Sequence, residues 1–143
     1  YTEVSKLDSE VLDYYVIDPE WKIKTILLHI AKASNNYGQF VNGVTETEPL
    51  ELEEPSSSDD IKVLTDKLYE IDQGLIDNQG IGDIDLTIKM RSGVKEHKSS
   101  TIFSQMVFHA AEHRAQIVAA LDRHNVRSIN LDDYDVWSYI RAH

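Results

Sequence analysis

The chain has 143 residues, of which 41% are hydrophobic and 27% are charged, a composition typical of a globular protein. The length predicts one domain over 1–143. Twenty-five acidic and fourteen basic side chains give a net charge of −11, which repels phosphate backbones and anionic membrane surfaces. Neither nucleic acid nor a membrane is therefore an expected partner. The chain has no cysteine, which excludes disulfides, thiolate metal ligands and a cysteine nucleophile.

No apolar run reaches the roughly 18–20 residues that a membrane-spanning helix needs, and no signal peptide is recognisable. These features favour a cytoplasmic protein. The chain begins at a tyrosine, so this prediction does not extend to what precedes Tyr1.

Apolar residues at helical spacing predict two helices in the first third of the chain. The first is short and contains Leu7, Val11, Leu12, Tyr14 and Tyr15. The second runs from Pro19, a residue favoured in the first turn of a helix, to Asn42, and Gly43 ends it. The acidic segment 44–58, with two prolines and three serines, is typical of a solvated connection.

The rest of the chain predicts two more helices and a strand. Ser57 and Asp60 resemble a capping box at the start of a third helix, which ends near Gly80. Residues 84–90 alternate between apolar and polar, as in a short strand, and Ser92-Gly93 supplies a turn. A final helix begins after Ser99-Ser100 and stops near Asn125. Because it is apolar around much of its circumference, we expect it to be the most buried helix.

These elements predict an all-α protein, a four-helix bundle of the up-and-down type with a short β segment before the last helix. The tail carries Trp137 and Tyr139, which we expect to dock on the bundle.

Three histidines form the candidate site. His29 lies within the apolar stripe of the second helix, and His109 and His113 are four residues apart on the core face of the last helix. A buried imidazole without a hydrogen bond costs about 1–3 kcal/mol, so three converging rings need a shared ion, acids or water. The alternatives are a hydrogen-bonded core histidine for His29 and a coincidental surface pair for the other two. His97, His124 and His143 are interpreted as solvated or helix-capping.

Two motifs resemble a known family. The stretch from Trp21 to Ile30, in which a histidine follows a helix-opening tryptophan, and the stretch from His109 to Ile117, with its H-x-x-x-H-R-x-Q pattern, are similar to motifs of the DinB/YfiT-like helical bundles. The resemblance implies that His29, His109 and His113 bind zinc or nickel, with water completing the coordination. Ala115 departs from the usual glycine of the family. The short first helix also departs from it, and we attribute its length to residues missing from the N-terminus.

The resemblance also implies candidate functions and partners. Members include metal-dependent thiol S-transferases, which use a small-molecule thiol to attack an electrophilic substrate, and many family bundles form homodimers. The alternatives are a stress-associated metal-binding protein without turnover and a purely structural dimer. Arg114 and Gln116 could orient a ligand or form hydrogen bonds between helices, and Glu112 could pair with surface cations. The residues themselves do not identify a catalytic group, so they favour neither an enzyme nor a protein without turnover.

Overall fold

A computed structural model of the chain describes residues 1–77, 82–90 and 92–142, and this part is mainly helical. The α-helices are α1 (Ile23–Val41), α2 (Ser58–Asp77), α3 (Ser99–Arg123) and α4 (Val136–Ala142). Strands β1 (Asp85–Met90) and β2 (Gly93–Lys98) form an antiparallel hairpin between α2 and α3. Short 3-10 helices occupy Val4–Lys6, Ser9–Asp13 and Leu131–Tyr134. Among the described helices, none combines the length and apolar character that crossing a membrane requires.

The centre of the fold is α1, which packs against both α2 and α3. Its side chains Ile23, Ile26 and Leu27 are 0–1% exposed. They join residues from the N-terminal turns, α2 and α3 in one core: Val4, Val11, Leu12, Ile61, Leu64, Ile117, Ala120 and Leu121. A smaller cluster of Leu86, Ile88 and Ile102 fastens the hairpin to the start of α3. Burial of these apolar surfaces is the main force holding the elements together.

The long helices lie close to where the sequence predicts them, because local signals fix their ends. At the end of α1, the Gly43 amide donates to the carbonyl of Phe40, and this glycine adopts φ +82°, which terminates the helix. At the start of α2, the amide of Asp60 donates to Ser57 Oγ at 3.2 Å, as a capping box predicts. Segment 42–57 is a connection without helix or strand. The predicted end of α2 near Gly80 lies outside the described residues.

The start of α1 differs from the prediction by four residues. The segment from Asp18 to Trp21 forms a separate turn, closed by a bond from the Trp21 amide to the Asp18 carbonyl at 3.0 Å. The Asp18 side chain also accepts from the Glu20 amide at 2.9 Å. An aspartate that bonds to the backbone two residues ahead competes with helix formation, so α1 begins at Ile23.

The predicted first helix is wrong in its form. Its residues form the 3-10 turns Val4–Lys6 and Ser9–Asp13, joined by extended backbone at Leu7 and Asp8. Val4, Val11 and Leu12 are nevertheless buried, because these two turns are enough to press their apolar side chains against the core. The described residues are therefore mainly α, with four α-helices and one two-stranded sheet.

Two further expectations about burial are wrong. The most buried helix is α1 rather than α3, whose Val107 and Phe108 are 58% and 73% exposed. The apolar circumference of α3 is uncovered on its outer side, since α1 and the hairpin pack on its other faces. In the tail, Trp137 and Tyr139 are 68% and 65% exposed and do not dock on the core. Aromatic content alone does not guarantee a surface to pack on.

Candidate metal centre

The packing of α1 along α3 brings the three candidate histidines together. The Nε2 atom of His109 lies 2.9 Å from Nε2 of His29 and 3.2 Å from Nε2 of His113. One potential ligand atom from each ring lies within 4.8 Å of the other two. The predicted convergence of His29, His109 and His113 is therefore present in the fold.

Burial differs among the three rings. His113 is only 7% exposed, whereas His29 and His109 are partly buried. Aromatic side chains enclose the cluster: the Trp21 ring lies 5.1 Å from that of His29, and the Tyr37 ring lies 5.8 Å from that of His109. The cluster thus sits at the edge of the core, with His113 on its inner side.

Gln116 determines how His113 presents its ring. The Gln116 side-chain oxygen Oε1 accepts from Trp21 Nε1 at 3.1 Å and lies 2.7 Å from His113 Nδ1. The indole nitrogen is only a donor, so the Gln116 atom it contacts must be the oxygen. The same oxygen can then only accept from His113, which places the proton of a neutral His113 on Nδ1. The Nε2 lone pair of His113 is left facing the other two histidines.

Direct hydrogen bonds between neutral imidazoles cannot satisfy all three Nε2 atoms. His113 Nε2 is an acceptor, so its contact with His109 needs a proton on His109 Nε2. That single N–H cannot align well with both His113 and His29, which lie on separate helices. Protonating a ring to add a donor is opposed by burial. One cation among the three lone pairs would satisfy all of them.

Burial lowers the pKa of both partly buried rings. For His29, desolvation is the larger cause, followed by repulsion from His113. For His109, desolvation again comes first, then repulsion from His113 and His29, while the Glu112 carboxylate acts weakly in the opposite direction. The lowered pKa keeps these two rings neutral near pH 7, and the neutral form is the one that binds a metal ion.

Two of the three separations between the nitrogens match those of ligands on a shared ion. Zinc–nitrogen bonds of about 2.0–2.1 Å place two ligands roughly 2.9 Å apart at right angles and about 3.3 Å apart at a tetrahedral angle. The separations of 2.9 and 3.2 Å fall in this range. A ligating histidine commonly donates its other ring nitrogen to a fixed acceptor, and Gln116 is such an acceptor for His113.

The remaining histidines lie elsewhere. His124 caps the end of α3 and its ring stacks on that of Tyr14 at 3.9 Å, which agrees with the predicted helix-end position. His97 is wrongly interpreted as solvated: it lies on β2, partly buried, and its Nε2 atom has no hydrogen-bond partner among the described residues. The strand was not predicted because its sequence is polar, and pairing with β1 turns this ring inward. His143 lies outside the described residues.

The residues around the motif also take definite positions. Gln116 on α3 accepts a hydrogen bond from Trp21 in the turn before α1, so it links α3 to that turn and not to a second helix. Arg114 instead lines a different cavity, beside Asp72 and the N-terminal turn. Glu112 has no ion-pair partner within 4 Å in the described parts of the chain, so pairing with a surface cation is not observed. Ala115 is exposed, so its methyl group does not crowd the packing of α3.

The relay from Trp21 through Gln116 to His113 was not predicted. Trp21 and Gln116 are 95 residues apart, and only the fold brings the indole to the amide. A sequence signal existed in the spacing of Gln116 three residues after His113, which puts both on one face of a helix. Spacing alone does not tell which atom the amide contacts.

Comparison of the chain with protein-family models, with curated proteins and with solved structures gave no match in any of the three. The resemblance to the DinB/YfiT-like bundles therefore depends on the two sequence motifs, and the case for the site depends on its geometry.

Proposed function

We propose that this protein binds one divalent transition-metal ion through His29, His109 and His113 and uses it to activate a low-molecular-weight thiol. The observation that carries the proposal is the convergence of three imidazole Nε2 atoms. The pKa values of His29 and His109 are lowered, and Gln116 fixes which nitrogen of His113 carries the proton. Three nitrogen donors suit zinc, nickel and related ions, while calcium and magnesium prefer oxygen. Zinc and nickel are the candidates that the family resemblance favours.

The donor count supports a reactive centre. Three protein ligands leave at least one position open on a tetrahedral ion, as in catalytic zinc sites, whereas structural sites use four. The partial exposure of His29 and His109 leaves this position access to solvent. A bound divalent ion would supply a Lewis acid that lowers the pKa of a thiol or water placed there.

The chain's own residues would hold and orient the reactants. His113, fixed by Gln116, presents its Nε2 atom in one direction, and Trp21 and Tyr37 shield the rings. In the proposed reaction a thiol gives its proton to solvent water and its sulfur forms a bond to an electrophilic carbon, while the leaving group departs as an anion with the electron pair of the broken bond. The proposal includes a cytoplasmic location and a homodimeric state, which the sequence and the family resemblance favour, as the resemblance also favours thiol S-transfer.

Metal content tests the first half of the proposal. Protein purified without a histidine tag should retain or take up about one zinc or nickel ion per chain, measured by mass spectrometry of the metal and by titration calorimetry. His109→Ala should abolish this binding, because it removes the ring that bridges the other two. The matched control is His124→Ala, which removes an exposed histidine at the end of the same helix. Equal loss in both variants, or no uptake by the unaltered protein, would refute the site.

Conjugation of a thiol to an electrophile tests the second half. Glutathione, bacillithiol and mycothiol would each be offered with a chlorinated dinitroarene, and product followed by absorbance. Turnover that depends on added metal and disappears in His109→Ala supports the transferase. Bound metal without turnover across this panel would instead favour the non-catalytic metal-binding protein. A stable dimer in light scattering that takes up no metal would favour the structural dimer.

A further inference from the structure

A cavity of about 560 Å³ opens beside the histidine cluster, and two of its lining residues contact His113. Trp21 and Gln116 line this cavity, and the same two residues contact His113. We call it the Trp21 pocket. Its volume lies within the range of about 300–1,000 Å³ that small-molecule sites occupy. None of the three histidines lines the pocket, so its occupant would contact the residues that orient His113 rather than the imidazoles.

The walls of the Trp21 pocket are mainly apolar and carry two carboxylates. Val16, Ile17 and Ile26 supply aliphatic surface, and the small Ala115 and Ala119 of α3 leave room beside the indole. An apolar lining with few polar groups is typical of ligand sites, because burial supplies affinity and the polar groups fix orientation.

The charged side chains among the described residues that line the Trp21 pocket are all negative. Asp18 and Glu112 are its acidic residues, and no lysine or arginine is among the described residues that line it. Arg123 donates to the backbone carbonyl of Val16, but its side chain is not part of the lining. Asp18 uses one carboxylate oxygen to accept from the Glu20 amide, and Glu112 has no ion-pair partner in the described chain. An anionic ligand would be repelled here, and the net charge of −11 adds to that repulsion.

We propose that the Trp21 pocket binds a small apolar molecule that carries a protonated amine. The ammonium group is held by Glu112 and Asp18, and the hydrocarbon part packs on Val16, Ile26 and the Trp21 indole, whose electron-rich face also attracts cations. Its role as a substrate pocket rests on the proposed function: the occupant would be the amine-bearing part of the thiol or of the electrophile. The binding of the ammonium compound itself does not require the metal.

Trp21 provides a direct readout. The chain has two tryptophans, so Trp137→Phe leaves Trp21 as the only indole fluorophore. In this background, hexylammonium, hexanol and hexanoate would be titrated at pH 7. We expect a saturable fluorescence change with hexylammonium and an affinity at least roughly fivefold weaker for hexanol and hexanoate, since neither forms an ion pair with a carboxylate. Equal affinities, or no saturable change with hexylammonium, would overturn the proposal.

Two pairs of variants test the negative charge and the free volume of the Trp21 pocket separately. Glu112→Gln should weaken hexylammonium binding roughly fivefold and leave hexanol unchanged, whereas Asp132→Asn, an exposed carboxylate outside the pocket, should change neither. Ala115→Leu should weaken both ligands by filling the pocket, whereas Ala111→Leu, on an exposed position of the same helix that does not line it, should not. Hexylammonium binding that survives both Glu112→Gln and Ala115→Leu would show that it binds elsewhere.

The same titration in metal-free protein and in His109→Ala distinguishes this proposal from the proposed function. Hexylammonium binding without any metal uptake would refute the metal centre and retain the pocket. Metal uptake without hexylammonium binding would refute the pocket and retain the centre. If both bind, their shared residues predict that hexylammonium changes zinc affinity, and by thermodynamic linkage zinc must change hexylammonium affinity by the same factor.

Discussion

Replacing Gln116 with leucine should weaken metal binding without removing a ligand. Gln116 Oε1 accepts from Trp21 Nε1 and His113 Nδ1, and these two bonds fix the His113 ring and its protonation. Loss of such an outer partner lowers metal affinity about 10- to 100-fold. At about 1.4 kcal/mol per factor of ten, this corresponds to about 1.4–2.8 kcal/mol. Leucine is close in size to glutamine, so the change removes the acceptor with little change in volume.

Without metal, the Gln116→Leu variant should also be less stable than the unaltered protein. His113 is 7% exposed, so its Nδ1–H loses its partner in a site that water reaches poorly, at a cost of about 1–3 kcal/mol. Trp21 is partly exposed and can recover a bond to water. The two effects can be measured separately, because zinc titration reports the loss of metal affinity and urea unfolding of metal-free protein reports the loss of stability.

Nitrogen-15 NMR of the imidazoles provides the decisive assay for Gln116→Leu. The unaltered metal-free protein should show His113 protonated at Nδ1, and the variant should show a mixture of the two neutral forms. The control is Gln105→Leu, an exposed glutamine on the same helix, which should leave both the tautomer and the zinc affinity unchanged. A Gln116→Leu protein that binds zinc within about twofold of the unaltered protein would refute the argument that Gln116 prepares His113.

Three further predictions concern stability. Burial lowers the pKa of His29 and His109, so the unfolded metal-free chain takes up protons on these rings more readily than the folded chain does. The free energy of unfolding should therefore fall as the pH drops below 6.5, the ordinary imidazole pKa. It should level off below the pKa values of the folded state. Urea unfolding between pH 7.5 and 5 measures this fall, and a double replacement of both histidines by asparagine that leaves it unchanged would assign it to other groups. Leu27→Ala, at a side chain that is 0% exposed, should cost about 2–5 kcal/mol in the same assay. Phe108→Ala, at a 73% exposed position, should change stability by less than about 0.5 kcal/mol, and a larger loss there would mean that the outer face of α3 is covered in solution.

The long helices were predictable because their local and tertiary signals agree. The apolar stripe of α1 faces both neighbours, and Gly43 ends the helix through its positive φ, a property that follows from the residue type. Ser57 and Asp60 likewise act within one turn of each other. Where periodicity, capping and burial favour the same structure, sequence alone is sufficient.

The failures occur where the outcome depends on distant contacts. The spacing of Val11 and Leu12 indicates an apolar surface, but it does not distinguish an α-helix from two 3-10 turns that bury the same side chains. Strand β2 has no alternating pattern and exists because β1 offers a partner six residues long. Trp137 was expected to be buried, and no sequence pattern tells whether the core has a free surface for it.

At the candidate site, too, features set by local spacing were predictable and contacts between distant residues were not. The positions of His109 and His113 follow from helical spacing, and the inward face of His29 follows from the stripe around it. The bond between Trp21 and Gln116 depends on how α1 packs against α3 and on the turn before α1, neither of which the sequence specifies by itself. The three converging histidines were therefore predictable, and the residues that orient them were not.

A final prediction separates specific metal binding from adsorption to an acidic surface. With twenty-five acidic side chains, the chain can attract divalent ions in both its folded and unfolded states, and binding to both does not raise stability. A site assembled only by the fold does: at 100 times the dissociation constant, one ion adds about 2.7 kcal/mol. For a chain of this size, that should raise the melting temperature by roughly 5–15 °C. Zinc or nickel should therefore raise it at concentrations where magnesium does not, since magnesium prefers oxygen ligands. His109→Ala should remove the difference between the ions. An equal response to magnesium and zinc would show that the carboxylate surface, and not the three imidazoles, binds the metal.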